Sequence, residues 1–158
     1  LHSRLISELG FKMHDIKTEI EIAAPPERVW SILLDFPAHP EWNPFVRSIT
    51  GNPKPGERLV VFIQPQGGRG MKFRPTVLVA AANREFRWLG RFILPGILDG
   101  EHYFQIIPIT PNRVRFLQGE KFSGVLVPLA KSGLEGGTKA GFIAMNEALK
   151  ARAERNEP

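Results

Sequence analysis

The feature that most constrains this 158-residue chain is a run of six strand-like segments that leads into one long helical segment. The six segments are Val46–Thr50, Arg58–Gln64, Met71–Ala82, Glu85–Leu94, Gly100–Ile109 and Arg113–Ser123. Short clusters of glycine, proline and asparagine separate them, and consecutive strands with short turns favour an antiparallel, strongly curved sheet.

A seventh strand precedes this run, because Asp15–Ala23 alternates strictly between apolar and charged side chains. Such a period of two is typical of a half-buried strand. Pro26 then suits the first turn of a short helix, where its missing N–H costs nothing. Pro37 and Pro40 end that helix and allow only about one further helical turn. The sequence therefore predicts two short helices directly after the first strand.

The aromatic and histidine side chains of this helical region have different predicted places. Trp30 and Trp42 are predicted to lie in the core, because both sit among apolar neighbours at helical spacing. His39, between Ala38 and Pro40, is predicted to be a loop residue near the mouth of a cavity.

The last segment of the chain is predicted to be a long helix with one buried stripe. Its stripe residues recur at steps of three or four and are Leu134, Thr138, Phe142, Met145, Leu149 and Arg152. A long helix of this kind can close a curved sheet by burying its stripe against the concave face. We therefore predict an α+β arrangement in which a curved antiparallel sheet of about seven strands wraps around the C-terminal helix.

Composition limits the partners and the location that we expect. The net charge of +5 comes from scattered basic residues without a continuous run, so no nucleic-acid partner is predicted. No apolar run reaches the roughly 20 residues that span a bilayer, so stable membrane insertion is not expected. The chain has no cysteine, and its N-terminus lacks the apolar core of a signal peptide. These features fit a cytoplasmic protein.

Further predictions concern the N-terminal residues, the histidines and a cluster of glycines. Residues 1–12 are predicted to be a leader or extension, and residues 13–158 to be a single domain. The four histidines lie too far apart in the sequence to predict a metal site. The glycines at positions 67–70 lack the lysine of a phosphate-binding loop, so they are interpreted as a hairpin tip. No cofactor is expected.

Several motifs in this order resemble the START-like, or helix-grip, superfamily, which is also called SRPBCC. They are Ile20–Trp30, Asp35–Pro37, Trp42–Phe45, Gly56–Leu59, Gly100–Phe104, Glu120–Gly124 and Gly141–Glu154. Within the superfamily, the chain is most similar to the polyketide cyclase/dehydrase and lipid transport family. The resemblance implies a START-like domain with an internal cavity, but the superfamily includes carriers, cyclases and receptors on one scaffold.

Strand alternation predicts which side chains line that cavity. His102, Gln118 and Glu120 share their parity with apolar neighbours, so all three are expected on the inner face. The apolar candidates for ligand binding are Phe73, Trp88, Phe92, Phe104, Phe116, Phe142 and Met145. A cavity lined by apolar side chains with a few polar groups is typical of a small-molecule site.

The sequence leaves the role of the polar pair open. His102 and Glu120 could simply hydrogen-bond each other, orient a ligand, or form an acid/base pair. The favoured function is binding, or transport, of a small hydrophobic ligand such as a lipid, polyketide-like or aromatic compound. The alternatives are a cofactor-independent cyclase/dehydratase that uses His102 and Glu120 for proton transfer, and a partner-binding module, with a homodimer left open.

Overall fold

A computed structural model describes residues 12–92 and 94–155, in which eight strands and several helices follow one another. In chain order they are β1 (Lys12–Ile22), α1 (Pro26–Leu34), a 3-10 turn (Phe36–Ala38), α2 (His39–Trp42), β2 (Val46–Thr50), β3 (Val60–Ile63), β4 (Met71–Phe73), β5 (Thr76–Ala81), β6 (Glu85–Arg91), β7 (Asp99–Thr110), β8 (Arg113–Gly124), α3 (Val127–Gly133), a π-helical segment (Leu134–Thr138) and α4 (Lys139–Ala153). The helix-grip prediction is confirmed by this order.

The strands form two antiparallel sheets that meet at one corner. One sheet has the order β1-β8-β7-β6-β5 and the other the order β2-β3-β4. An antiparallel bridge between Arg58 and Thr76 joins them, and the Leu59 N–H donates a 2.9 Å hydrogen bond to the Pro75 carbonyl beside it. The two sheets therefore make one strongly curved surface.

The prediction of one strand over Met71–Ala82 is wrong, so the described residues contain eight strands where about seven were predicted. The segment divides at Arg74 and Pro75 into β4, which pairs with β3, and β5, which pairs with β6. Proline has no N–H to give to a ladder and disfavours continuation of a central strand. Strand β6 also ends at Arg91, three residues before the predicted end at Leu94.

The long helix lies against the concave face of the larger sheet, as predicted. Phe142, Met145 and Leu149 of its stripe are fully buried. The ring of Phe142 meets Phe45 edge to face at 5.4 Å between centroids. The side chain of Leu134, which begins the predicted stripe, lies outside the described part of the chain.

The first helix packs over the far end of α4. Val29 and Leu33 of α1 are buried in the core, and the Arg28 guanidinium donates a 2.6 Å hydrogen bond to the Ala153 carbonyl. Trp30 and Trp42, predicted to be core residues, are only partly buried at the edge of the core. An amphipathic indole at such an edge covers apolar surface while one side still reaches solvent.

His39 is not the loop residue that the sequence suggested. It is the first residue of α2 and is fully buried, where its Nε2 lies 2.8 Å from the Leu33 carbonyl and its Nδ1 lies 3.2 Å from Nδ2 of Asn43. Oδ1 of Asn43 accepts hydrogen bonds from the backbone N–H groups of Phe45 and Val46. The short helices are therefore joined to β2 by a buried polar network. Burial lowers the pKa of His39 below its ordinary value of 6.5, although the Leu33 carbonyl acts in the opposite direction.

Two further sequence predictions concern the start of the chain and insertion into a membrane. The predicted leader falls outside the described residues except for Lys12, which is the first residue of β1 and pairs with Gly124. Among the described residues, no helix combines the length and the apolar character needed to cross a bilayer.

Candidate functional site

A cavity of about 230 Å³ lies between the larger sheet, the smaller sheet and the π-helical segment. Thirteen residues line it: Phe45, Val46, Ile63, Pro65, Met71, Phe73, Trp88, Phe92, Leu98, His102, Glu120, Phe122 and Thr138. All but His102, Glu120 and Thr138 are apolar. The cavity therefore has a hydrophobic wall with a polar edge.

The polar edge is built by strand register. Trp88 on β6 stands opposite His102 on β7, and His102 stands opposite Glu120 on β8. These cross-strand pairs point to the same face, because the pleat sends alternate side chains to opposite sides. The next inward row, one step deeper, consists of Phe86, Phe104 and Gln118. His102, Gln118 and Glu120 are all buried, so their predicted inward orientation is confirmed.

Two glycines on the other side of the Trp88–His102–Glu120 row make room for the cavity. Gly90 and Gly100 face each other on β6 and β7. A Cβ at Gly100 would lie 2.3 Å from Oε1 of Glu120 and 3.1 Å from the Phe92 ring, and a Cβ at Gly90 would lie 3.4 Å from Phe73. Glycine inside a strand often marks a close approach of this kind. Neither glycine was a predicted site residue, although both have inward parity.

His102 is held on several sides. Its ring stacks on Trp88 with centroids 5.0 Å apart and planes at 23°. The Gln118 amide Nε2 lies 3.1 Å from Nε2 of His102, and Nδ1 of His102 lies 3.5 Å from Oε2 of Glu120. With the Gln118 amide oriented so that its nitrogen faces His102, Nε2 of a neutral His102 ring accepts, and this assignment leaves the ring proton on Nδ1, facing the carboxylate.

The polar chain continues away from the cavity to the long helix. Nδ2 of Asn146 donates a 2.9 Å hydrogen bond to Oγ1 of Thr18, and this hydroxyl donates to the Gln118 carbonyl. Nε2 of Gln118 also lies 3.3 Å from Sδ of Met145. Thr18 and Asn146 are both buried. Neither was a predicted site residue, although Thr18 shares its parity with the inward isoleucines of β1.

The ten predicted binding residues divide into two groups of five. Phe73, Trp88, Phe92, His102 and Glu120 line the cavity. The other five lie behind the wall in the core and are Phe104, Phe116, Gln118, Phe142 and Met145. Phe104, Phe116 and Gln118 have the parity of the strand residues that line the cavity but lie in deeper rows, whereas Phe142 and Met145 belong to α4 and are packed in the core. Ligand contact by the first group stays a prediction.

The titratable groups at the polar edge of the cavity are one imidazole and one carboxyl group. His102 and Glu120 supply at most two ligand groups, and the described residues contain no cluster of three side chains that could hold a metal ion. A buried carboxylate beside an apolar wall can accept a hydrogen bond from a ligand or receive a proton from it.

Comparisons with known proteins agree with this architecture. The family model for polyketide cyclase / dehydrase and lipid transport matches residues 13–154, whereas no curated protein matches the chain. The Zhui aromatase/cyclase from Streptomyces sp. R1128 is 15% identical with a TM-score of 0.74, covering 91% of this chain and 95% of its own. Norcoclaurine synthase from Thalictrum flavum is 13% identical with a TM-score of 0.74, covering 98% and 94%.

A third solved structure is a START superfamily protein from Mycobacterium smegmatis. It is 25% identical with a TM-score of 0.66, and the match covers 89% of this chain and 97% of that protein. The enzymes above share the fold with this chain at low identity, and a shared fold does not transfer an activity. The family match, in contrast, spans nearly all of the described residues. The chain therefore belongs to the polyketide cyclase/dehydrase and lipid transport family, within the START-like, or SRPBCC, superfamily.

Proposed function

We propose that this protein binds a small hydrophobic ligand that carries one polar group, in the cavity between the two sheets. The observation that carries the proposal is the asymmetry of the cavity wall. Apolar side chains form most of it, while His102, Glu120 and Thr138 supply its polar groups. A few placed polar groups in an apolar pocket fix the orientation of a ligand and give specificity.

The volume indicates the size of the ligand. A cavity of about 150 Å³ in another protein holds benzene, so 230 Å³ suits a compound of roughly two fused rings. The rings of Phe73 and Phe92 lie 5.6 Å apart and would contact the apolar body of the ligand. Glu120 accepts hydrogen bonds when ionised, so it favours a ligand whose polar group is a donor, such as a phenol.

Paired probes test this proposal. Quenching of tryptophan fluorescence should be saturable with 2-naphthol and with naphthalene, because Trp88 lies in the cavity wall, and 2-naphthol should bind more tightly. Glu120→Gln should remove most of that preference. Glu19→Gln, an exposed outer-face change on β1, is the matched control. Failure of both probes to bind, or a preference untouched by Glu120→Gln, would contradict the proposal.

The pair formed by His102 and Glu120 favours a second candidate, proton transfer on a bound carbonyl compound. His102 uses both ring nitrogens, towards Gln118 and Glu120. Glu120 would therefore take the proton, and His102 would position the carboxylate. A proton next to the carbonyl would move to Glu120 and leave an enolate. The carboxyl group would exchange this proton with solvent and then donate a solvent proton back to carbon.

Exchange of 2-tetralone protons in D₂O, followed by mass spectrometry, tests this second candidate without knowledge of the natural substrate. The protein should accelerate deuterium uptake above the buffer rate in a pH-dependent way. Glu120→Gln should abolish the acceleration while 2-tetralone still binds, and Glu19→Gln should leave it unchanged. Exchange that survives Glu120→Gln would exclude this mechanism.

A further inference from the structure

An exposed apolar tip stands at one end of the larger sheet. We define it as the loop 92–98, described except for residue 93, together with residues 124–129. Backbone hydrogen bonds join the two parts, from the Val125 N–H to the Gly96 carbonyl at 3.2 Å and from the Leu126 N–H to the Ile97 carbonyl at 3.0 Å. Leu94, Val125 and Leu129 are 65%, 49% and 82% exposed, respectively. Exposed apolar side chains that cluster on a folded protein, in contrast to single ones, are typical of an interaction site.

Three arginines line one groove near this tip, with Arg91 at the end of β6, Arg74 just before β5 and Arg58 bridged to Thr76 of β5. Arg58, Arg74 and Arg91 line a groove of about 260 Å³ together with Thr76, Leu78 and Leu89. No carboxylate lines the groove, and within the described part of the chain none of the three arginines forms an ion pair. Arg87, by contrast, is bound by Glu85 and Glu101. The three arginines are therefore available to an anionic partner.

The chain itself links the arginines to the tip. Arg91 is the last residue of β6, and Leu94 follows three residues later, at most about 11 Å away along an extended chain. Residues 91–98 and 124–133 contain two basic side chains and no acidic one. The exposed apolar side chains of the tip therefore lie next to arginines that form no ion pair within the described residues.

We propose that this tip docks on the surface of a bilayer that contains anionic lipids. Leu94, Val125 and Leu129 would enter the interface between headgroups and acyl chains, while the three arginines contact lipid phosphates. Apolar side chains next to cations bind such surfaces by the sum of apolar burial and electrostatic attraction. This mode is peripheral, and it requires no membrane-spanning helix.

The tip also forms part of the cavity wall. Phe92 and Leu98 belong to its loop and line the cavity, and the exposed Met71 lies on that wall as well. A docked protein would therefore hold one side of its cavity close to the lipid surface. The docking itself does not depend on ligand binding, so it can be tested separately.

The charge distribution favours a bilayer over a second copy of the chain. A symmetric contact brings the same surface of two protomers together. Two copies joined through this tip would bring two sets of unpaired arginines towards each other, and like charges at such a contact are unfavourable. An anionic lipid surface, in contrast, offers an apolar environment to the leucines and negatively charged partners to the arginines.

Vesicle co-sedimentation tests the proposal with the full chain. We expect the protein to partition onto phosphatidylcholine vesicles that contain phosphatidylglycerol, and to bind pure phosphatidylcholine at least about tenfold more weakly. The double variant Leu94→Asp/Leu129→Asp and the single variant Arg74→Glu should each reduce partitioning by about tenfold or more. High salt should weaken binding of the parent protein.

Two controls come from the other end of the sheet. Ile109→Asp changes an exposed apolar side chain near the end of β7, roughly 30 Å from the tip at the rise of a β-strand. Arg84→Glu changes an exposed arginine in the turn before β6. Both variants should partition like the parent, and circular dichroism should show that all variants are folded.

Three outcomes would overturn the proposal. The first is an absence of partitioning onto anionic vesicles by the folded parent protein. The second is a parent dimer in light scattering that Leu94→Asp/Leu129→Asp dissociates, which would assign the tip to a second copy. The third is vesicle binding that depends on Arg74 but not on the leucines, which would indicate attraction to negative charge alone, without insertion of the apolar tip.

Discussion

Gly100 on β7 and Glu120 on β8 are diagonal neighbours, since Gly100 stands opposite Phe122, and a Cβ at residue 100 would lie 2.3 Å from Oε1 of Glu120. The carboxylate therefore occupies space that the missing side chain leaves free. This relationship makes the position of the buried carboxylate, and with it the polar edge of the cavity, depend on a glycine that carries no chemistry of its own.

Gly100→Ala should move the Glu120 carboxylate away from its place beside His102. We expect a loss of about 1–3 kcal/mol in the free energy of unfolding from crowding, and loss of the preference for 2-naphthol over naphthalene. Gly90→Ala is the matched control, because its Cβ would make an ordinary 3.4 Å contact with Phe73. Both variants fill the cavity slightly, so equal ligand preferences in the two would contradict this account.

Two glycines of the C-terminal helical region should respond oppositely to alanine. A Cβ at Gly133 would have no heavy atom within 4 Å, whereas a Cβ at Gly141 would lie 2.3 Å from the ring of Phe45. Gly133→Ala should raise the free energy of unfolding by about 0.4–1 kcal/mol, since alanine favours helix. Gly141→Ala should lower it by about 1–3 kcal/mol, because the helix must move off a buried ring. Urea denaturation measures both, and equal effects would disprove the packing argument.

His39 should make the protein less stable at acidic pH. Burial lowers its pKa in the folded state below the ordinary value of 6.5, so the unfolded chain takes up a proton first as the pH falls. Its contribution is therefore constant above about pH 6.5, and stability is lost below that pH, by at most about 1.4 kcal/mol per pH unit, until the folded pKa is reached.

Denaturation between about pH 8 and pH 5 tests the His39 prediction against His39→Gln. The amide of glutamine can still donate to the Leu33 carbonyl but does not titrate. The variant should be less stable than the parent at neutral pH, and the difference should shrink as the pH falls below about 6.5. Stability curves that stay parallel over the whole range would contradict the assignment.

The π-helical segment and its glycines should open more readily than the rest of the C-terminal region. Leu134–Thr138 is a π-helix between α3 and α4, and Thr138 lines the cavity. Amide hydrogen exchange should be faster across residues 133–141 than across 142–153, because glycine-rich helical turns have low local stability. Opening there would give a ligand a way into the cavity, and equal protection of both stretches would contradict this role.

The sequence predicted those features that depend on local periodicity. The period of two on β7 and β8 correctly turned His102, Gln118 and Glu120 inward, and the helical period of α4 identified Phe142, Met145 and Leu149 as buried. Each pattern is written in consecutive residues, and side-chain direction in a strand or a helix follows directly from that spacing.

The tertiary structure decided which of the inward residues face the cavity. His102 and Phe104 share a parity, yet only His102 lines the cavity. Gly90 and Gly100, which have no side chains, leave space on one side of His102. The row of Phe104, on the other side, is covered by the long helix. Parity indicates a face but not a depth along the strand. Depth depends on segments that are distant in sequence, so the sequence by itself identified the inner face, and the packing of the second sheet and the helices placed the site on it.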